Sequence, residues 1–500
     1  MTNPLATAPA PVFDLLITGG TVIDGTKAPR FEADVGLLDG RIAALGDLRG
    51  RAARQTLDAT GRIVAPGFID SHTHDDQALL ATPEMVFKVS QGVTTVVTGN
   101  CGISLAPLRA GGPLPAPLNL LDADARAPFE TFADFLDALR RTPASVNVVP
   151  LVGHTTLRVT AVADLDRSAT AGEIAAMQGL LQEALDAGAV GLSTGTFYPP
   201  AAAASTEEII ELGRPLTGTG ALYATHLRDE ADAMTAAMDE ALRIGRELDV
   251  PVVLSHHKVQ LPHNFGKSAQ TLAHVRRAMQ CQCVSLDCYP YTAGSTMIRT
   301  DRGLIDGRVL IASSVPHPEC AGRDLADIAA EWGVPRDEAA RRLQPGSAIY
   351  FMMDEGDVQR ILAFDETMIG SDGIPIGDKP HPRLWGTFPR VLGHYSRDLG
   401  LFPLETAVWK MTGLTARNFG LHDRGTLAVG RPADVVVFDP DTVLDTARYD
   451  DPQRVAAGID VVIVNGAITW RQGAHAGARQ GQVIVRTGRG AGTAAVARLP

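Results

Sequence analysis

Between about residues 65 and 420, short apolar runs alternate with amphipathic stretches. The runs are IVAPGFIDSHTH, GVTTVVTGN, VNVVPLVGH, AGAVGLSTG, ALYATHLR, VPVVLSHH, QCVSLDCYP and TMIGSDG, eight in all. Each is nearly continuous in its apolar character, as a strand buried on both faces reads. Segments such as TAGEIAAMQGLLQEALD and EADAMTAAMDEALRIGREL, which precede some of them, are helix-like. Eight such alternations predict an α/β fold, a (β/α)8 TIM barrel of parallel strands. About 75 residues, about 291–366, separate the seventh run from the eighth. A simple crossover does not need that length, so an insertion, a candidate lid, is expected before the last barrel strand.

The two ends of the chain read differently. DLLITGGTVIDG has apolar stretches broken by Gly-Gly and Asp-Gly, which is hairpin punctuation, and DVGLLDGRIAALG repeats the pattern at Asp39-Gly40. Far along the chain, ADVVVFDP, VVIVNGAITW and QVIVRTG suggest the same kind of small sheet. Hairpins this small cannot bury a face alone. The ends are therefore expected to meet in one small β-sandwich domain, residues 12–64 plus 421–487. A loose N-terminus (1–11), a barrel domain (65–420) and a frayed tail (488–500) complete the expected organisation.

Composition narrows the classes. A hydrophobic fraction of 45% and a charged fraction of 20% exclude disorder over most of the chain. The net charge of -12 repels a polyphosphate backbone, so nucleic acid is not an expected partner. No apolar run approaches the ~20 residues that cross a bilayer, and MTNPLATAPAPVFD lacks the features of a secretory signal. No membrane partner is expected. Five cysteines are too few for a disulfide framework and fit a reducing compartment, so the expected location is cytoplasmic.

Chemistry gathers where the runs end. The first ends His72-Thr73-His74-Asp75, the second Gly99-Asn100-Cys101 and the third Gly153-His154. The fifth carries His226, the sixth His256-His257-Lys258 and the eighth Ser371-Asp372-Gly373. In a parallel barrel these C-terminal ends converge on one face. Residues i and i+2 of a strand point the same way, so His72 and His74 reach one ion from one strand. Imidazole, thiolate and carboxylate together suit Zn²⁺. Taken singly, each feature has an ordinary reading: a surface histidine pair, an inert buried thiol, an aspartate in a turn. Even with His154 set aside, five strand ends of eight carrying ligand types point instead to a metal site. His154 stays open between packing, support behind a ligand and binding. Cys281 and Cys283 alternate along a strand at a spacing no zinc finger uses, and with Cys288 and Cys320 they read as structural. His263, His274, His317, His394, His422 and His475 lie off the strand ends and take no role.

GFIDSHTHDD after a hairpin domain resembles the amidohydrolase superfamily of metal-dependent barrels. GNCG at 99–102, GLSTGTFYPP at 191–200, THLRDE at 225–230, SHHK at 255–258 and SDG at 371–373 resemble, within it, the N-acyl-D-amino-acid deacylases. So does RGTLAVGRPADVVVFDP at 424–440, and the likeness runs over about 14–485. The resemblance implies that Cys101, His226 and His256 hold a tightly bound zinc. His72, His74 and Asp372 then line a neighbouring, weakly filled position. It also implies hydrolysis of an N-acyl-D-amino acid, a small-molecule substrate, with Asp372 as general base and acid. Lys258, Tyr289, Ser295 and Arg383 are implied to receive the substrate carboxylate. Phe197, Tyr198 and Gln260 are implied to meet its side chain, and Phe197 favours an apolar one. Hydantoinase-type relatives carry a carboxylated lysine on the fourth strand, and residues 187–200 contain no lysine. A cyclic-amide hydrolase is therefore the weaker alternative. A non-catalytic scaffold is weaker still, because all six ligand positions are filled.

Overall fold

The computed structural model describes residues 12–109, 114–120 and 129–486. The expected loose N-terminus and frayed tail lie outside the described residues. All eight apolar runs form strands: β1 (Phe68–Asp70), β2 (Val93–Thr98), β3 (Asn147–Pro150, continued by Val152–Gly153), β4 (Gly191–Gly195), β5 (Leu222–His226), β6 (Val252–Leu254), β7 (Val284–Cys288) and β8 (Thr367–Ile369). β1, β2 and β3 pair in parallel. The continuation of β3 pairs with β4, and β4 to β8 follow in parallel order. Past their ends, β8 and β1 exchange backbone hydrogen bonds: Ser71 N donates to Ile369 O (3.3 Å) and Asp372 N to His72 O (2.8 Å).

Local chemistry explains the helices between them. Thr170 and Glu173 form a capping box at the start of Ala171–Ala187, and Gly188 in the left-handed region ends it. Met234–Leu248 buries Met234, Ala237, Met238, Ala241 and Leu242, a stripe of helical period.

The two chain ends share one nine-stranded sheet. Ile63–Pro66 pairs antiparallel with Val435–Phe438, which joins the front strands to the back ones. Leu15, Val35, Val64, Val435 and Ile463 pack in one apolar cluster drawn from both ends. Asp39-Gly40 is the hairpin turn expected, with both residues at positive φ between Phe31–Leu38 and Arg41–Gly46. Gly19-Gly20 is not a turn. Phe13–Val22 runs straight through it as one strand with a bulge, because Gly19 at φ +68° absorbs the extra residue without reversing the chain. QVIVRTG also departs from expectation. Gln482 O and Ile484 N bond to Val148 on β3, so its described residues, 482–486, lie beside the parallel strands and not in the end sheet.

Between β7 and β8 the chain builds a separate antiparallel sheet from Ala293–Met297, Arg308–Ser314 and Gly346–Phe351. Helices Leu325–Trp332 and Arg336–Leu343 cover it, and Ile298, Ile311, Ile328 and Tyr350 share its own core. Cys320 is buried there and Cys288 is buried on β7. Cys281 and Cys283 do not alternate along a strand. They precede β7 and are exposed, because β7 begins only at Val284.

A buried ion pair ties the end sheet to the base of β3. The Asp434 carboxylate pairs with Arg424 and accepts from Asn147 Nδ2 (3.0 Å) and Asn465 N (2.8 Å). Removing one partner of such a pair strands the other charge. Arg424→Met is expected to destabilise the fold by about 3–5 kcal/mol, read as a lowered thermal midpoint. An unchanged midpoint would show that Asp434 is satisfied without it.

Candidate metal centre

The strand ends carry their polar residues to one place. His72 and His74 follow β1, Cys101 follows β2, His226 ends β5, His256 follows β6 and Asp372 follows β8. Three of these residues lie in the left-handed region: Cys101 (φ +54°), His256 (φ +37°) and Asp372 (φ +48°). That conformation costs a non-glycine residue of order 1–3 kcal/mol and persists only where the surroundings impose it. It turns the chain sharply as each strand ends. Gly195 lets β4 approach, since a Cβ there would lie 2.1 Å from the Cys101 carbonyl oxygen.

Two donor groups share one thiol. Cys101, His226 and His256 form one, and His72, His74, Cys101 and Asp372 the other; within each, the donor atoms lie within 4.8 Å of one another. Cys101 Sγ is 3.3 Å from His72 Nε2, 3.3 Å from His256 Nε2 and 3.7 Å from His226 Nδ1. Asp372 Oδ1 is 3.2 Å from His74 Nε2 and 3.6 Å from His72 Nε2. All six residues are buried. His257, the alternative to His256, turns away and meets Thr271 Oγ1 at 2.9 Å.

Charge explains how such a cluster is tolerated. Burial raises the Cys101 thiol pKa, but His72 and His256 outweigh burial and hold it well below the usual range. Burial also works against an ionised Asp372, yet Arg383 and the histidines keep its carboxyl well below normal. Burial disfavours a charged His72, and Cys101 with Asp287 reverses that and raises it well above normal.

Several supporting residues are not singled out in the sequence. Asp287 on β7 sits 3.4 Å from His72 Nδ1 and accepts from His256 N (2.8 Å). Glu230 accepts from Lys258 Nζ at both carboxylate oxygens (2.8 and 2.9 Å) and faces His256 Nδ1 at 3.1 Å. Lys88, fully buried, binds Asp70 (2.7 Å), Asp75 (3.2 Å) and Ser371 Oγ (2.9 Å) beneath the turn of His72 and Asp372. Only Glu230 left a usable signal, as an acid four residues after His226 in THLRDE. Asp287 sits inside the apolar run QCVSLDCYP, and Lys88 lies between the first two runs, away from any strand end.

The remaining expected residues surround this cluster. Arg383 is buried at the start of helix Arg383–Arg390, and its Nη1 reaches Asp372 Oδ2 at 2.9 Å. Its Nη2 donates to the carbonyl oxygen of Ser295 (3.1 Å), a backbone contact. The Tyr289 ring lies beneath Arg383 (4.5 Å) and near Lys258 (5.6 Å). Gln260 donates to Glu230 (2.7 Å). Phe197 stacks on His226 with ring centres 5.1 Å apart, Tyr198 lies 5.0 Å from the same ring, and Arg299 covers Phe197 at 4.5 Å. His154 stands outside both donor groups, 3.6 Å from Glu208, and burial lowers its pKa.

Comparison with known proteins places this geometry in a family. The amidohydrolase family model matches residues 55–281 and 335–470. The chain belongs to that family. A D-aminoacylase of Alcaligenes xylosoxydans xylosoxydans is 61% identical over 475 residues, covering 95% of this chain and 98% of the relative. A solved D-aminoacylase, described by its binuclear metal centre, superposes with TM-score 0.93 at 60% identity, over 95% of this chain and 100% of that one. An N-acyl-D-glutamate deacylase of Bordetella bronchiseptica, solved with zinc and a phosphonate inhibitor, superposes with TM-score 0.92 at 49% identity, covering 95% and 100%. Within the amidohydrolases, then, this chain is a member of the N-acyl-D-amino-acid deacylase branch. Zinc is the metal of that solved N-acyl-D-glutamate deacylase, and a thiolate with imidazoles and one carboxylate is a donor set that fits it.

Cys101→Ala is expected to remove most of the bound zinc, measured by metal analysis after dialysis. Gly195→Ala removes no donor, yet it is expected to lower zinc content too, by displacing the Cys101 backbone. Full zinc in both variants would separate Cys101 from the metal.

Proposed function

We propose that this protein hydrolyses N-acyl-D-amino acids to a carboxylate and a free D-amino acid. The observation that carries the reading is Asp372, a buried carboxylate set between the donor cluster and the Arg383 guanidinium. Cys101, His226 and His256 would hold the tightly bound zinc, and His72, His74 and Asp372 would line a weaker second position. Zinc there supplies a water of lowered pKa and a polarised substrate carbonyl. Asp372 takes the proton of the attacking water and returns it to the leaving amine nitrogen, which must be protonated to depart. Arg383, held on Asp372 here, is the cation that a substrate α-carboxylate would draw away, restoring basicity to Asp372. Lys258, Tyr289 and Ser295 complete the carboxylate pocket. Phe197, Tyr198 and Gln260 face the side chain, and Phe197 makes an apolar one the better fit. The names of the relatives support the D-configuration and the linear amide.

The architecture in this reading is a closed eight-stranded barrel over 65–420. The backbone bonds between the β8 and β1 ends support closure, and the cluster shared by both chain ends supports a β-sandwich built from those ends as far as His475, without the segment at 482–486 that lies beside β3. The antiparallel sheet between β7 and β8 is the insertion, with Ser295 and Thr296 reaching the site. Five free thiols favour a reducing, cytoplasmic setting, and no helix among the described residues is long and apolar enough to cross a membrane.

N-acetyl-D-methionine is expected to release amine and its L-enantiomer not, with activity lost on chelation and restored by zinc. Asp372→Asn is expected to lower kcat by about 10²–10⁴-fold. Arg383→Ala removes a charge-assisted pair of about 1.5–3 kcal/mol, so kcat/KM is expected to fall roughly 10- to 150-fold. Hydrolysis of hydantoin in place of the acylated amino acid would overturn the reading.

A further inference from the structure

One carboxylate, Glu230, faces the remote nitrogens of two donor imidazoles. His256 turns Nε2 to Cys101 and Nδ1 to Glu230 Oε1 (3.1 Å). His226 does the reverse, with Nδ1 toward Cys101 and Nε2 toward Glu230 Oε2 (3.7 Å). His226 Nε2 is buried and has no hydrogen-bond partner. A neutral imidazole that gives one nitrogen's lone pair to a metal carries its hydrogen on the other, and that N–H needs an acceptor. Glu230 is the group placed to accept from both rings.

Lys258 competes for this arrangement. Its Nζ lies 2.6 Å from His256 Nδ1, a contact that works only while Nδ1 is an acceptor. Once Nε2 gives its lone pair to zinc, Nδ1 becomes a donor, and an ammonium at that distance is a donor facing a donor. We infer that Glu230 is a positioning residue for both zinc-facing imidazoles, and that zinc loading frees Lys258 from His256 to receive the substrate carboxylate. The metal and the carboxylate subsite are thereby coupled, and reciprocity requires a bound carboxylate to tighten zinc by the same factor. This rests on the proposed carboxylate role of Lys258 but not on the amide chemistry.

The test is zinc affinity of the full-length protein by competition with a fluorescent chelator, with and without 4-methylpentanoate. That probe carries a carboxylate and an apolar tail but no amide; 4-methylpentanamide is its neutral control. Glu230→Gln, close in shape, is expected to weaken zinc by about 10–100-fold. Lys258→Met and Lys258→Gln are expected to bind zinc at least as tightly as the parent. The carboxylate is expected to tighten zinc about fivefold or more in the parent, and not in the Lys258 variants. The amide control should leave every protein unchanged. Circular dichroism reports whether each variant folds. Parent-like zinc affinity in a folded Glu230→Gln protein, or weakened zinc in both folded Lys258 variants, overturns the inference. So does a full carboxylate effect without Lys258. Failure of amide hydrolysis with this zinc pattern intact would sink the proposed reaction alone.

Discussion

The Cys101 thiol has three imidazole nitrogens within 3.7 Å, in a pocket where every donor is buried. Taking charges out of water costs several kcal/mol each unless each is paired. The surroundings of the site answer that cost. Arg383 meets Asp372, Asp287 meets His72, and Glu230 meets Lys258 and His256. One layer below, Lys88 sits among Asp70, Asp75 and Ser371, holding the turn that carries His72 and Asp372. The site is therefore a nested set of charge pairs, and the imidazoles facing its central thiol hold that thiol's pKa well below the usual range against burial.

Backbone geometry supplies the convergence. Parallel strands end on one side, and the sharp left-handed residues at Cys101, His256 and Asp372 bend three segments of the chain into the same volume. Such strain is held by its neighbours and is concentrated where function needs a particular direction. Close approach at Gly195 lets β4 sit against Cys101. The antiparallel sheet between β7 and β8 has a core of its own, but at its edge it reaches residues that flank the donors. Ser295 O meets Arg383, Thr296 meets Tyr198 and Arg299 covers Phe197. Arg383 beside Asp372 and the aromatic pair beside His226 are thus touched by one segment whose folding core is separate from both.

The sequence alone determined the eight strands, the spacing of polar residues at their ends and the branch of the family, because strand periodicity and ligand types are local properties. It also located the Asp39-Gly40 turn. It misplaced Gly19-Gly20, since a glycine pair permits a bulge as readily as a reversal and only the partner strand selects between them. It could not send QVIVRTG to β3, because an edge pairing has no local signature. Residue pattern left His256 and His257 equal and only the family resemblance preferred His256; the tertiary structure turns His256 to the thiol and His257 away, and it alone put Arg383 on Asp372. It also revealed Glu230, Asp287 and Lys88 as the groups that hold the donors. Apart from His226, four residues before Glu230, the neighbours that give them their roles lie more than a dozen residues away in the chain, at distances that only the packed fold fixes.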